Sequence, residues 1–313
     1  MHLQQFFRAR QRIAGVAEET RCMYSEPLSN MAGANVYLKL ETEQPTGAFR
    51  IRGAANKIKS LSAEEKRKGV ATFSTGNHGI AVAYVAREEN IPSVICISNR
   101  VPKAKKSRLE ELGAEVIVVG ESQDEAEKYC YSLPGVTVIP PFDDEAVIAG
   151  QGTIGLEIME QCPQVDHVVV PLSGGGLMSG VGMVMKKMNE AIRVTGVSIE
   201  GAAVMHESIS RGTPVILPEK STLADSLLGG IGGKNNFTYQ MTKQVMDTSV
   251  LVSEQTIARG ITTMLDKHKM LVEGAAASGV GWMLGERMAR HENIVILITG
   301  NNIDAGVLDQ LQI

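Results

Sequence analysis

A chain of 313 residues is long enough for two domains at roughly 150 residues each, with a core that needs no disulfide or metal to close it. Apolar residues at 43%, charged residues at 21% and 32 glycines describe a globular chain rich in tight turns and exclude a disordered one. A net charge of −4 with only 4% aromatics lacks the basic footprint and stacking surfaces that nucleic-acid binding needs.

Apolar, β-branched runs at 36–40, 70–73, 94–97, 116–119, 136–139, 168–172, 194–199 and 294–299 predict strands buried on both faces. Segments of helical period fall between them at 52–61, 79–88, 104–112, 124–132, 153–162, 178–188, 257–267 and 279–290. This alternation predicts the α/β class, with mainly parallel sheets covered by helices. The block 50–145 holds its own elements and ends at Pro140-Pro141, followed by acidic Asp143, Asp144 and Glu145. It is expected to form a small domain, with 1–49 and 146–313 joining into a large one and the ligand cleft between them. Lys103, Lys105, Lys106 and Arg108 read as a solvated helix face.

No apolar run approaches the roughly 20 residues of a membrane-spanning helix. The first residues have no apolar segment of about 7–15 residues and no small-residue cleavage site, so a cytoplasmic location is expected. Cys22, Cys96, Cys130 and Cys162 have no paired short spacing and read as reduced thiols.

Three strand-to-helix turns carry polar groups. Ser173, Gly174, Gly175, Gly176 and Leu177 follow the strand 168–172 and offer backbone N–H groups at a helix N-terminus, a cradle suited to phosphate. They match neither the spaced glycines of the dinucleotide fold nor the Gly-Lys-Ser/Thr phosphate loop, so an adenine nucleotide is not the expected ligand. Ser74, Thr75, Gly76, Asn77, His78 and Gly79 follow 70–73, placing hydroxyls, an amide and an imidazole at the ligand-facing end of a parallel strand. Thr299, Gly300, Asn301, Asn302, Ile303 and Asp304 form the third turn.

Together with the run Pro45-Thr46-Gly47-Ala48-Phe49-Arg50-Ile51-Arg52-Gly53-Ala54 and the run Ala149-Gly150-Gln151-Gly152-Thr153, these turns resemble, in the same order over nearly the whole chain, the fold-type-II pyridoxal-phosphate enzymes of tryptophan synthase β-like architecture. Within them the chain is similar to the threonine/serine dehydratase and serine racemase group. Asp225-Ser226-Leu227-Leu228-Gly229-Gly230-Ile231-Gly232 resembles the dehydratases of hydroxyectoine utilisation. The resemblance implies pyridoxal 5'-phosphate as cofactor, a small β-hydroxy amino acid as substrate, a 2-oxo acid as product and a homo-oligomer of two or four chains. It implies that Ser173 to Leu177 bind the cofactor phosphate, that Asn77 meets the phenolic oxygen and Thr299 the ring nitrogen, and that Phe49 lies beside the ring. Ser74, Thr75, Gly76, Asn77 and His78 would receive the substrate carboxylate. A neutral hydroxyl at the ring nitrogen suits β-elimination better than a long-lived carbanion.

One departure dominates. The family carries its Schiff-base lysine at position 50, and this chain has Arg50, which stays protonated near neutral pH and neither moves the α-proton nor anchors the cofactor. Lys57 sits about 10 Å further along the helix axis, and Lys59 lies on another face. Three readings remain open: a lysine replaced in an otherwise ordinary dehydratase, a protein that binds without turnover, or different chemistry in which Arg50 clamps a phosphate or carboxylate. Thr75 stands where racemases have their acid/base serine, and only Glu200 offers a carboxylate at the family's cation site, so no metal is expected. Glu273 has two readings, one that brings it to the cleft and one that caps a helix or faces solvent.

Overall fold

The structure, a computed structural model, describes every residue except 75, 102, 219, 233, 234, 312 and 313, with the side chains of 104, 123, 124, 305 and 310 also set aside. The first part of the chain runs α1 (Leu3–Ile13), β1 (Cys22–Tyr24), α2 (Glu26–Ala32), β2 (Asn35–Leu40), α3 (Arg50–Ser60) and α4 (Ala63–Lys68). Then follow β3 (Val70–Thr72), α5 (Asn77–Glu88), β4 (Ser93–Ile97), α6 (Lys103–Glu111), β5 (Glu115–Val118), α7 (Gln123–Ser132) and β6 (Thr137–Val138). Next come α8 (Glu145–Gln161), β7 (His167–Pro171), α9 (Gly176–Met188), β8 (Arg193–Ile199) and α10 (Val204–Arg211). The remainder holds α11 (Thr238–Val245), β9 (Thr248–Val252), α12 (Glu254–His268), α13 (Gly274–Met283), β10 (Asn293–Ile298) and α14 (Ala305–Leu311).

Among the described residues the strands form two sheets. The larger has the order β1-β2-β10-β7-β8-β9 and is parallel except for the antiparallel β1–β2 pair at its edge. The smaller has the order β5-β4-β3-β6 and is parallel throughout. Period-2 geometry explains why β7 reads as a continuous apolar run: Val168 and Val170 pack with Phe6, Ile154 and Met178 on one face, while Val169 packs with Val36, Ile257 and Ala276 on the other.

Helix α8 joins the two sheets, and its glycines let it do so at close range. A Cβ on Gly150 would lie 2.3 Å from the Arg52 carbonyl oxygen of α3, and one on Gly180 of α9 would lie 2.5 Å from the Ile148 carbonyl oxygen. Backbones this close leave no room for any side chain between them.

Several expected boundaries shift. The helix expected from 153 begins at Glu145, because the acidic cluster supplies its cap: Asp144 Oδ1 accepts from the N–H groups of Ala146 at 2.8 Å and Val147 at 3.0 Å. The helix expected over 279–290 is α13, at Gly274–Met283. Its small residues are buried all round and carry no apolar period. Strands β1 and β9 sit at the two edges of the larger sheet and were not expected from the sequence, being short and only partly buried. Lys103 and Arg108 are exposed on α6, with Lys105 and Lys106 half-buried. No described helix is long and apolar enough to cross a membrane.

Candidate active site

The three polar turns lie at the carboxyl ends of β3, β7 and β10, where parallel sheets present their ligand-facing edge. Backbone contacts tie the segment before α3 to the turn after β10. Phe49 N donates to Thr299 O at 3.0 Å, Asn301 N donates to Gly47 O at 2.9 Å, and Ala48 pairs with Gly300 in an antiparallel bridge. Gly47 has φ 72°, and a Cβ there would lie 2.5 Å from Asn301 Oδ1, so both the backbone and the space require glycine.

Asn77 opens α5 and joins the smaller sheet to the larger one. Its Nδ2 donates to both oxygens of Glu273, at 3.1 and 2.9 Å, and its Oδ1 accepts from Asn302 Nδ2 at 2.7 Å. Asn302 also donates to Thr46 O at 2.9 Å, and Glu273 N donates to Gly300 O at 3.1 Å. Asn77 and His78 therefore occupy the first turn of a helix rather than the loop before it. That turn closes tightly, since a Cβ on Gly79 would lie 1.8 Å from the Ser74 carbonyl oxygen. Ser74 and Gly76 are half-buried beside it, and Thr75 lies outside the described residues.

Ser173, Gly174 and Gly175 connect β7 to α9, and Gly176 and Leu177 begin that helix. Gly175 has φ 83°, which turns the chain so that the first N–H groups of α9, which have no partner within the helix, point out of its end. Phe142 walls this turn: its ring lies 2.3 Å from where a Cβ on Gly174 would stand, and its Cβ 2.9 Å from one on Gly176. The neighbouring Asp143 accepts from the N–H groups of Asn236, Phe237 and Thr238 at 2.7, 2.8 and 2.9 Å. The segment 141–144 thus lies across the glycine turn as a strap.

Arg50 holds that strap from the other side. Its Nη1 donates to Pro141 O at 2.5 Å, and its guanidinium carbon stands 4.8 Å from the Phe49 ring centre. Burial pushes the Arg50 pKa down to about 10, partly offset by the Glu273 carboxylate, so the guanidinium remains charged at neutral pH. Burial, and then the charge of Arg50, push His78 down to about 3, so its ring is neutral. Its Nε2 stands 2.9 Å from Ile139 O and donates to it, which leaves the buried Nδ1 as an acceptor with no partner among the described residues.

Of its two readings, Glu273 follows the inward one and lies beside Asn77. It is 3% exposed, and its side chain makes no cap for α13. Burial raises its pKa to about 7, against the Asn77 hydrogen bond, which lowers it; Asp225 adds to the rise and Arg50 opposes it. Thr299 is 2% exposed, and its Oγ1 is buried with no partner among the described residues. Phe49 is buried in the same apolar cluster as Leu177. Lys57 is engaged elsewhere, with Nζ 2.6 Å from Asp144 Oδ2, and Lys59 stands 3.6 Å from Glu89.

The sequence pattern of pyridoxal-phosphate dependent enzymes matches residues 13–300. The L-threonine ammonia-lyase of Thermotoga maritima is 40% identical over 306 residues, covering 97% of this chain and 76% of that protein. The catabolic L-threonine dehydratase of Escherichia coli K12 is 36% identical over 309 residues, covering 97% of this chain and 93% of that protein. Maize serine racemase superposes with a TM-score of 0.91 at 32% identity, covering 99% of this chain and 96% of that one. The chain belongs to the family of pyridoxal-phosphate dependent enzymes, in its fold-type-II branch with the threonine dehydratases and serine racemases.

Proposed function

We propose that this chain is a pyridoxal-phosphate lyase scaffold for a small β-hydroxy amino acid of the L-threonine or L-serine type, with turnover severely reduced by Arg50. The overall change removes water across the Cα–Cβ bond and then hydrolyses the nitrogen away, giving a 2-oxo acid and ammonia. The observation that carries this reading is that the turns after β3 and β10, from two sheets, are joined through Asn77, Asn302 and Glu273 beside Thr299, whose buried hydroxyl has no partner among the described residues, while the strap held by Arg50 lies on the glycine turn after β7.

The residues present fit the non-covalent part of the cofactor. The N–H groups at the α9 N-terminus would take the phosphate, beside a turn on which Phe142 packs against Gly174 and Gly176, and Thr299 Oγ1 would meet the ring nitrogen with a neutral hydroxyl. Asn77 would orient the phenolic oxygen, with Glu273 and Asn302 fixing the plane of its amide. Phe49 would pack beside the ring, and Ser74, Gly76, Asn77 and His78 would bind the substrate carboxylate at the start of α5, with Thr75 assigned to the same turn. When bound, the group supplies an electron-withdrawing ring that eases departure of the α-proton. The chain has no amine at position 50 to accept that proton: Arg50 is charged, and a neutral amine is what general-base chemistry there requires.

The reading takes 50–145 as a small domain closing on 1–49 plus 146–313, in a cytoplasmic homo-oligomer. A second reading, binding without turnover, is favoured by the bond from Arg50 to Pro141 and its stacking on Phe49, which build the guanidinium into the site. The test supplies Arg50→Lys with pyridoxal phosphate and with L-threonine, L-serine or D-serine. A lyase releases 2-oxo acid from the L-substrates. Inversion without 2-oxo acid would mark a racemase, and saturable binding without product would favour the binding reading.

A further inference from the structure

We propose that Arg50 makes the cleft a receptor for a small monocarboxylate of the 2-oxo acid class, held by the guanidinium itself and taken up together with one proton. The inference rests on the reading above that this cleft is the functional site, and it names a ligand that the residue at position 50 selects.

Charges drawn out of water are as a rule paired. The other cations in this part of the chain obey that rule: Arg52 pairs with Glu41 and Glu157, Lys39 with Glu157, Lys57 with Asp144 and Lys105 with Asp225. Arg50 is half-buried and forms no ion pair with any described carboxylate. Its one hydrogen bond among the described residues runs from Nη1 to Pro141 O, and the Phe49 ring lies against the guanidinium. Nε and Nη2 have no described partner, and neither is shut away from solvent. Together they form the side-on fork of a guanidinium, whose parallel N–H groups match the two oxygens of a carboxylate.

The surroundings set the charge of the ligand. Glu273 is the carboxyl whose field reaches Arg50, and burial raises its pKa to about 7. The other titratable groups around this pair are His78 of α5, which is neutral, and Asp225, whose charge Lys105 of α6 shares. An incoming carboxylate and an ionised Glu273 would set two negative charges against one guanidinium. The proton therefore goes to the weaker acid, Glu273, and the ligand keeps the charge that matches Arg50. A dianionic phosphate would leave one charge over. Because Glu273 must be protonated for the anion to bind, affinity is level below about pH 7 and falls about tenfold per pH unit above it.

The experiment is titration calorimetry of the full chain, dialysed free of pyridoxal phosphate, with 2-oxobutanoate, its methyl ester and inorganic phosphate, in two buffers of different ionisation heat. The ester, which lacks the charge, is expected to bind at least about tenfold more weakly than the acid, and Arg50→Gln to weaken the acid by at least about tenfold. Comparing the buffers should show uptake of about half a proton per acid bound at pH 7 and about nine-tenths at pH 8. Glu273→Gln, which keeps an acceptor for Asn77, should bind the acid equally at pH 6.5 and pH 8.5 with no proton uptake. Equal affinity for acid and ester, undiminished binding by Arg50→Gln, or no proton uptake at pH 8 by the Arg50 chain would overturn the inference. So would inorganic phosphate binding more tightly than the acid and losing that affinity in Arg50→Gln. Should Arg50→Gln not fold, the ester comparison and the proton count on the Arg50 chain decide. If the acid does not bind while Arg50→Lys releases 2-oxo acid from L-threonine or L-serine, the inference fails and the proposed function stands. If the acid binds as described and Arg50→Lys releases none, the inference stands and the lyase reading fails.

Discussion

Arg50 and Glu273 form an opposed pair in a partly dehydrated place, and each alters what the other can do. The guanidinium keeps its charge with a pKa of about 10 and helps hold His78 neutral, while the carboxyl of Glu273 is pushed from 4.5 up to about 7 by burial. A carboxyl whose folded pKa is raised holds its proton longer in the folded state than in the unfolded one. Stability is therefore highest below about pH 4.5 for this group, falls as pH rises from there to about 7, and stays reduced above it. The full swing is about 3 kcal/mol. Urea denaturation of the cofactor-free chain between pH 5 and pH 8 should show that loss, and Glu273→Gln, which keeps an acceptor for Asn77, should flatten it. Equal slopes for the two proteins would remove Glu273 from the account.

At the scale of elements, the strap 141–144 links position 50 to the glycine turn after β7. Arg50 grips Pro141, Phe142 lies on Gly174 and Gly176, Asp143 caps α11, and Asp144 caps α8 while pairing with Lys57. Asp143→Ala leaves three N–H groups at the α11 start without their acceptor and should cost about 1–2 kcal/mol. Hydrogen exchange should quicken at 236–238 and leave α5 unchanged; a global rise would point to unfolding instead. Gly150→Ala places a methyl group 2.3 Å from the Arg52 carbonyl and should destabilise by about 2–3 kcal/mol in the same denaturation assay. These elements were unevenly legible in the sequence. The strands buried on both faces were plain from apolar runs, and Ser173 to Gly176 and Thr299 were plain from glycine and hydroxyl residues after such runs. Asp144 read as part of a break because a cap and a loop use the same residue types. Phe142 gave no local signal, since only the fold brings it onto the glycine turn. Glu273 stayed open between the cleft and the surface, because burial of a carboxyl depends on Asn77, almost 200 positions away.

For the whole molecule, a buried ion network fixes the relation between the two sheets. Lys39 of β2, Glu41 just after it, Arg52 of α3 and Glu157 of α8 are each no more than 3% exposed. Arg52 Nε donates to Glu41 Oε2 at 2.7 Å, its Nη1 pairs with Glu157, and Thr20 Oγ1 donates to Glu41 Oε1 at 2.6 Å. Burial would raise the Glu41 carboxyl, but the charge and hydrogen bonds of Arg52 outweigh it and leave the pKa lowered. Its contribution is thus present above about pH 4.5 and lost as acid passes the lower folded value. Arg52→Ala takes the guanidinium from two buried carboxylates, leaving Lys39 to Glu157 alone, and should cost about 3–5 kcal/mol by denaturation. Because Arg52 lies on α3 two residues beyond Arg50, the network also anchors the helix that presents position 50 to the cleft. On the proposed function, the chemistry turns on position 50. The most direct measurement is the rate of 2-oxo acid formation from L-threonine and L-serine, each with saturating pyridoxal phosphate, by the Arg50 chain and by Arg50→Lys. The account predicts that kcat/KM rises by at least about a hundredfold in the variant for one of the two substrates. Equal rates in the two proteins, or brisk turnover by the Arg50 chain itself, would contradict it.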